Sequence, residues 1–156
     1  MRIISHRGNI YAPDPSTENS PVQVVNAIIN GYDVEIDLWV IDNVLLLGHD
    51  EPTHKITLDW LTNYNEYLWI HCKNINALNL VKDDFNAFGH DGDDYVLTSK
   101  KFIWVYPNKP LVPNSIAVLP ERATYNIDDL SQCYSICTDF AYKYKKESVR
   151  IPSLVS

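Results

Sequence analysis

Long apolar runs are missing from this sequence. None approaches the roughly 20 residues of a helical membrane span, so no such span is expected. The opening stretch MRIISHRGN carries too short an apolar segment for a secretory leader, and a cytoplasmic location is the default expectation. Cysteine is scarce. Cys72, Cys133 and Cys137 are too few for a disulfide framework. Cys133 and Cys137 stand four apart, which suits zinc only beside a second pair; none exists, so buried reduced thiols are expected. Basic charge is in deficit too: 13 Lys and Arg against 20 Asp and Glu leave a net charge of −7. Four Trp and ten Tyr could stack bases, but no basic stripe accompanies them, which argues against a nucleic-acid partner. The one cationic cluster, Lys143, Lys145, Lys146 and Arg150, reads as a solvated tail. With no internal repeat, low-complexity segment or linker, residues 1–156 read as a single domain. Its 46% hydrophobic content is enough for a core.

What is present centres on Tyr32–Asp50, YDVEIDLWVIDNVLLLGHD. Read as a strand, its first half points Asp33, Glu35, Asp37 and Trp39 to one face and Tyr32, Val34, Ile36, Leu38 and Val40 to the other. Glu35 and Asp37 then lie roughly 6.5–7 Å apart along one face. Between residues 32 and 54 the acids are Asp33, Glu35, Asp37, Asp42, Asp50 and Glu51, and no Lys or Arg intervenes. Such carboxylates raise one another's pKa unless a cation sits between them. A solvated strand face is the plain alternative. His49 after an apolar run, and His6 beside Arg7 at the start of the chain, tilt the reading toward a site.

The remaining elements follow from periodicity and punctuation. Arg2–Ser5 is a short strand opening into His6-Arg7-Gly8-Asn9, and a helix over about 20–30 starts at Pro21, capped by Asn19 or Ser20, and stops at Gly31. A turn at Asp42-Asn43 leads to a returning strand, Val44–Leu47, and Glu51–Lys55 is a connector. A helix over Thr57–Tyr64, a strand over Leu68–Lys73 and a helix from Asn74 to Val81 complete a β-α-β-α-β-α order, the signature of a parallel sheet. Beyond residue 84 short strands dominate, at Phe85–Phe88, Tyr95–Thr98, Phe102–Tyr106, Ser115–Leu119 and Tyr134–Cys137, with one helix at Ile127–Gln132.

His6-Arg7-Gly8, then Glu18-Asn19, then Glu35-Ile36-Asp37, then Gly48-His49-Asp50 resembles the glycerophosphodiester phosphodiesterases, a family related to the phosphatidylinositol-specific phospholipase C superfamily. The match is close over residues 1–51. It is looser at Ile70–Lys73, where the family usually reads E-x-K, and at Thr138-Asp139, similar to the T-D of its last barrel strand. The resemblance implies a metal-dependent phosphodiester hydrolase on an α/β scaffold. A complete barrel needs about 250 residues, so the expected fold is a reduced or incomplete TIM-type (β/α) barrel with several outer helices missing.

By the same resemblance, His6 and His49 form the general acid/base pair, Arg7 and Lys73 contact the phosphate, and Glu35 and Asp37 hold one divalent cation. Glu18 and Asn19 brace the helix start and the His6-Arg7-Gly8 loop. The chain departs from the family in two places. His71 stands where a third carboxylate ligand is usual. Oxygen ligands favour Mg²⁺ or Ca²⁺, whereas His71 as a ligand would move the preference to Mn²⁺ or Zn²⁺; Asn9 and Glu121 are the alternatives for that third position. The segment that usually follows Asp50 and shapes the glycerol side is replaced by a short connector, so the small-molecule phosphodiester substrate is not specified. A binding protein without turnover, and a cyclising, lyase-like phosphodiesterase, are the competing expectations. Exposed edges of an incomplete barrel would allow a homo-oligomer.

Overall fold

The computed structural model describes residues 1–150. Its strands are β1 (Ile3–His6), β2 (Asp33–Ile41), β3 (Val44–Leu47), β4 (His54–Ile56), β5 (Leu68–Cys72), β6 (Ala87–Phe88), β7 (Tyr95–Leu97), β8 (Ile103–Val105), β9 (Ser115–Val118) and β10 (Ser135–Thr138). The helices are α1 (Pro21–Ile29), α2 (Leu58–Tyr64), α3 (Ile75–Val81), α4 (Ile127–Ser131) and α5 (Ala141–Arg150). The ten strands form one curled sheet. Parallel pairings run β6–β5–β2–β1–β10–β9–β8. Antiparallel pairings add β3 to β2, β4 to β3 and β7 to β8.

The expected TIM-type barrel is therefore corrected: the sheet is mixed and, among the described residues, only five short α-helices accompany it. Connection length is the physical reason. Asp42 and Asn43 both adopt left-handed backbone, φ 50° and 63°, which closes a two-residue hairpin and returns β3 antiparallel along the far half of β2. The connector expected at Glu51–Lys55 runs instead into β4, which extends this hairpin. Five residues separate β7 from β8, whereas a parallel crossover needs a dozen or more, so β7 also returns antiparallel. Between β6 and β7 no ladder forms among the described residues. Ser99 bridges the two edges, its N–H donating to the Ala87 carbonyl at 2.8 Å and its Oγ accepting from the Ala87 N–H at 2.9 Å.

Alternation along the strands sorts side chains into two cores. Ile3, Val34, Ile36, Leu38, Ile70, Val105 and Ile136 face the helices, with Val24 and Ala27 of α1 packed among them. Ile4, Trp69, Phe88, Trp104, Ile116, Val118 and Cys137 fill the concave side. Trp69 and Trp104 stand 5.9 Å apart and Phe88 lies 4.6 Å from Trp104, so an aromatic plug closes the middle of the curl. Polar side chains concentrate above it, at the carboxyl ends of the parallel strands. The cationic segment read as a tail is the helix α5, whose Lys145 Nζ donates to the Asn30 carbonyl at 2.8 Å and lies over the Tyr32 ring.

Candidate metal centre and active site

Strand register assembles the cluster. Pairing of β1 with β2 puts His6 beside Glu35, and pairing of β2 with β5 puts Asp37 beside His71. Pairing of β1 with β10 aligns Ser5 with Thr138, so Asp139 arrives next to His6. Because every second residue of a strand shares a face, Glu35 and Asp37 both point into the concave side. Glu35 is 3% exposed and Asp37 1%.

The loop after β1 shapes the rim. Arg7 and Gly8 adopt successive left-handed conformations, φ 55° and 85°, a strained geometry for Arg. The loop is pinned from three sides. Arg7 N–H donates to the Glu35 carbonyl at 2.9 Å, Asn19 N–H donates to the Arg7 carbonyl at 3.0 Å, and Gln23 Nε2 of α1 donates to the Gly8 carbonyl at 2.7 Å. Ser20, not Asn19, caps α1, its side chain accepting from Gln23 N–H. Asn19 is left-handed too, φ 61°. It makes two bonds to Asp37: its Nδ2 donates to Oδ2 at 2.9 Å, and its Oδ1 accepts from Asp37 N–H at 2.9 Å. Glu18 accepts from Arg7 at 3.2 Å and from Asn9 at 3.0 Å.

Two histidine–carboxylate pairs result. His6 Nδ1 lies 2.7 Å from Asp139 Oδ1, and His71 Nδ1 lies 2.9 Å from Asp37 Oδ1. Burial works against ionised Asp139, but the hydrogen bond and charge of His6, with Asn9 and Arg122, together outweigh it and hold that carboxyl below its ordinary value. Burial also opposes ionisation of Asp37, yet His71, Arg7 and Asn19 together hold it down at about 2. Both carboxylates are therefore acceptors, so each histidine donates from Nδ1 and leaves Nε2 for chemistry. His6 Nε2 lies 3.8 Å from Glu35 Oε2. Burial lowers the basicity of His6, but Asp139 and Glu35 more than restore it, and its pKa stands above the ordinary value. Glu35 goes the other way from Asp37: burial, then the neighbouring Asp37 charge, pushes its carboxyl up to about 7.

Glu35, Asp37 and His71 each offer a ligand atom, and these lie within 4.8 Å of one another. That spacing lets one ion reach all three at bond lengths of up to about 2.4 Å, within the range of divalent cations. At Glu35, burial and the Asp37 charge outweigh the nearby His6, Arg7 and His71 charges, and a divalent cation would offset that excess of negative charge, so the donor set fits one. Neither alternative third ligand points there. Asn9 Nδ2 is engaged by Glu18 and Asp139, and Glu121 accepts from the Thr138 hydroxyl and Asp139 N–H. Both residues brace Asp139.

The other expected residues occupy the rim. Arg7 Nε lies 3.4 Å from Asp37 Oδ2, and its side chain faces a cavity of about 450 Å³ shared with Glu18, Asn19, His49 and His54. His49 enters that cavity but bonds outward, Nδ1 to Asp50 Oδ1 at 2.7 Å. Gly48 is obligatory before it: a Cβ there would stand 1.8 Å from the Glu51 carbonyl oxygen. Lys73 follows β5, half-buried, and makes no ion pair among the described residues. Sequence reasoning named Thr138-Asp139 only as a family echo, whereas the β1–β10 register makes Asp139 the partner of His6. The Tyr106 hydroxyl, held protonated by burial and by the Glu35 charge, belongs to the same concave mouth. A scan against protein-family models finds no match to this chain, and a search of curated proteins finds none either.

Proposed function

We propose that the chain hydrolyses a small phosphodiester at this cluster, with Glu35, Asp37 and His71 holding one divalent cation. The observation that carries the reading is the convergence of those three ligand atoms within 4.8 Å, beside a histidine whose Nδ1 is committed to a carboxylate. When bound, the ion would neutralise charge on the non-bridging phosphate oxygens. The imidazole in the set favours Mn²⁺ or Zn²⁺ over Mg²⁺ or Ca²⁺. His6, oriented by Asp139, takes a proton at Nε2 from the attacking water or hydroxyl. Arg7 and Lys73 bring positive charge to the phosphate at a mouth otherwise dominated by carboxylates. His49, in the cavity that Arg7 lines, is assigned the proton for the leaving alkoxide.

A second reading has one observation in its favour. The Arg7 guanidinium is already engaged by Glu18 and Asp37, an arrangement that suits a protein binding a phosphodiester without turning it over. The experiment is hydrolysis of bis(p-nitrophenyl) phosphate and glycerophosphodiesters with each of the four cations and with EDTA, with cyclic products assayed alongside. Cation-dependent turnover abolished by His6→Ala and by Glu35→Ala is expected. Cation binding without turnover would replace the hydrolase reading by the binding one. Absence of both would return Glu35 and Asp37 to a structural role.

A further inference from the structure

The parallel strands have a second mouth, at their amino ends. Arg2 precedes β1, Asp33 opens β2, Trp69 lies near the start of β5, and Phe102 and Tyr134 precede β8 and β10. These residues line a cavity of about 560 Å³, larger than the one beside Arg7. It lies at the other end of the strands from Asp37, His71 and Asp139, and no residue of the cation cluster lines it. Its floor is aromatic. The Trp69 ring stands 5.0 Å from that of Phe102, and Phe102 stands 4.6 Å from the half-exposed Tyr134. Asp33 belongs to the frame, its Oδ1 lying 2.7 Å from Arg2 Nε and its Oδ2 accepting from Trp69 Nε1 at 3.1 Å.

The rim carries opposite charges close together and unpaired. Ser99 Oγ donates to the Phe85 carbonyl at 2.6 Å, so Asp84 and Lys100 each stand one residue from that bond. Both are exposed, both line the cavity, and neither makes an ion pair with the other; Lys100 makes none at all among the described residues, nor does Asp84. Asn65 Nδ2 donates to the Asp84 carbonyl at 3.1 Å, which holds the next residue, Glu66, on the same rim.

We infer that this second mouth is a binding site for a small zwitterion of the aromatic amino-acid class, its ammonium held by Asp84 and its carboxylate by Lys100, with its ring on the Trp69–Phe102–Tyr134 floor. The class follows from the lining. A simple anion would pair with Lys100 but face Asp84 and Glu66, and a simple cation would pair with the acids but face Lys100. An apolar ligand would suit the floor and leave the rim charges unanswered. An α-amino acid carries both charges on one carbon, the short separation that neighbours such as Asp84 and Lys100 require. Its side chain supplies the apolar surface for the rings, and the cavity is of the size that small-molecule sites have. The site is independent of the cation cluster and of the hydrolase reading.

The test is calorimetric binding of phenylalanine, phenethylamine and 3-phenylpropanoate to the full chain at low salt. EDTA is present throughout, so that chelation of a metal at the other mouth cannot contribute. The three probes share the ring and differ in carrying both charges, the ammonium alone or the carboxylate alone. An exposed ion pair corresponds to a preference of about fivefold, and phenylalanine is expected to bind about that much more tightly than either analogue. Lys100→Gln should bring phenylalanine down to the level of phenethylamine and leave phenethylamine unchanged. Asp84→Asn should bring it to the level of 3-phenylpropanoate and leave that probe unchanged. Both positions are exposed, so the fold tolerates these changes. No binding of phenylalanine, equal affinity for all three probes, or a preference that survives both substitutions would each overturn the inference.

Discussion

Replacing Glu35 with Gln should stabilise the metal-free protein at pH 8 and change it little at pH 5. The Glu35 carboxyl titrates at about 7 in the folded chain against an ordinary 4.5. The folded state therefore binds this proton more tightly than the unfolded state, and stability falls as pH rises from the unfolded value through the folded one. A tenfold difference in proton affinity between the two states is worth about 1.4 kcal/mol. Ionising Glu35 thus costs under ~1 kcal/mol at pH 5 and about 3 kcal/mol at pH 8. Gln keeps the shape and the acceptor for Arg7 N–H, and it carries no charge to desolvate. For a chain of this size the pH 8 difference amounts to about 6–12 °C in Tm. His6 adds a slope of the same sign, because its pKa is raised and its stabilisation is full below the unfolded value and lost as pH climbs through the folded one. Wild type and variant must therefore be compared at each pH, by urea denaturation in EDTA. Saturating Mn²⁺ should close most of that gap, stabilising wild type by about 3 kcal/mol at a hundredfold excess over Kd and the variant far less. A Glu35→Gln protein no more stable than wild type at pH 8 in EDTA would refute the argument that burial and Asp37 outweigh the positive charge around Glu35.

Asp139→Asn should lower kcat by ~10²-fold or more, because an amide can present the wrong partner to His6 Nδ1, while Mn²⁺ affinity by calorimetry stays within a factor of about 3. Asn19→Ala removes two bonds to buried Asp37 and places Ala at φ 61°; a loss of about 2–4 kcal/mol is expected by denaturation, with Asn19→Gly recovering only the backbone part. Gly48→Ala drives a methyl into the Glu51 carbonyl. It should cost about 2 kcal/mol or more and raise KM through displacement of His49, which a kinetic comparison with wild type would detect.

Much of the first half of the chain was legible. Pro21 with its Ser20 cap, Asp42-Asn43 and the Glu35–Asp37 alternation are local signals, and α1, the β2–β3 hairpin and the inward carboxylates appear where those signals put them. His71 stood out in the sequence only because it substitutes for a carboxylate in a resembling motif; its place beside Asp37 comes from the β2–β5 register. The second half was less legible. Its strands are two to four residues long and carry little periodicity, so their direction could not be read, and the antiparallel return of β7 went unforeseen. The helix α5 was hidden by its charge: Lys143, Lys145 and Lys146 resemble a tail until Ala141 is seen packed in the core beside β1.

The sequence by itself determined which residues could do chemistry and which face of β2 they share, because side-chain alternation in a strand is a local property. It also determined the breaks, through Gly48 and the Asp42-Asn43 turn. Only the tertiary structure decided how charge is distributed over that face. The stretch around Glu35 and Asp37 contains no Lys or Arg of its own, and it is strand pairing that brings Arg7 and His71 to Asp37 and Asp139 to His6. Two acids of like chemistry, two residues apart, consequently end on opposite sides of their ordinary pKa, Glu35 near 7 and Asp37 near 2. That divergence depends on neighbours such as His71, 34 positions from Asp37 in the chain. Distances of that kind are fixed by the register of a folded sheet and by nothing local.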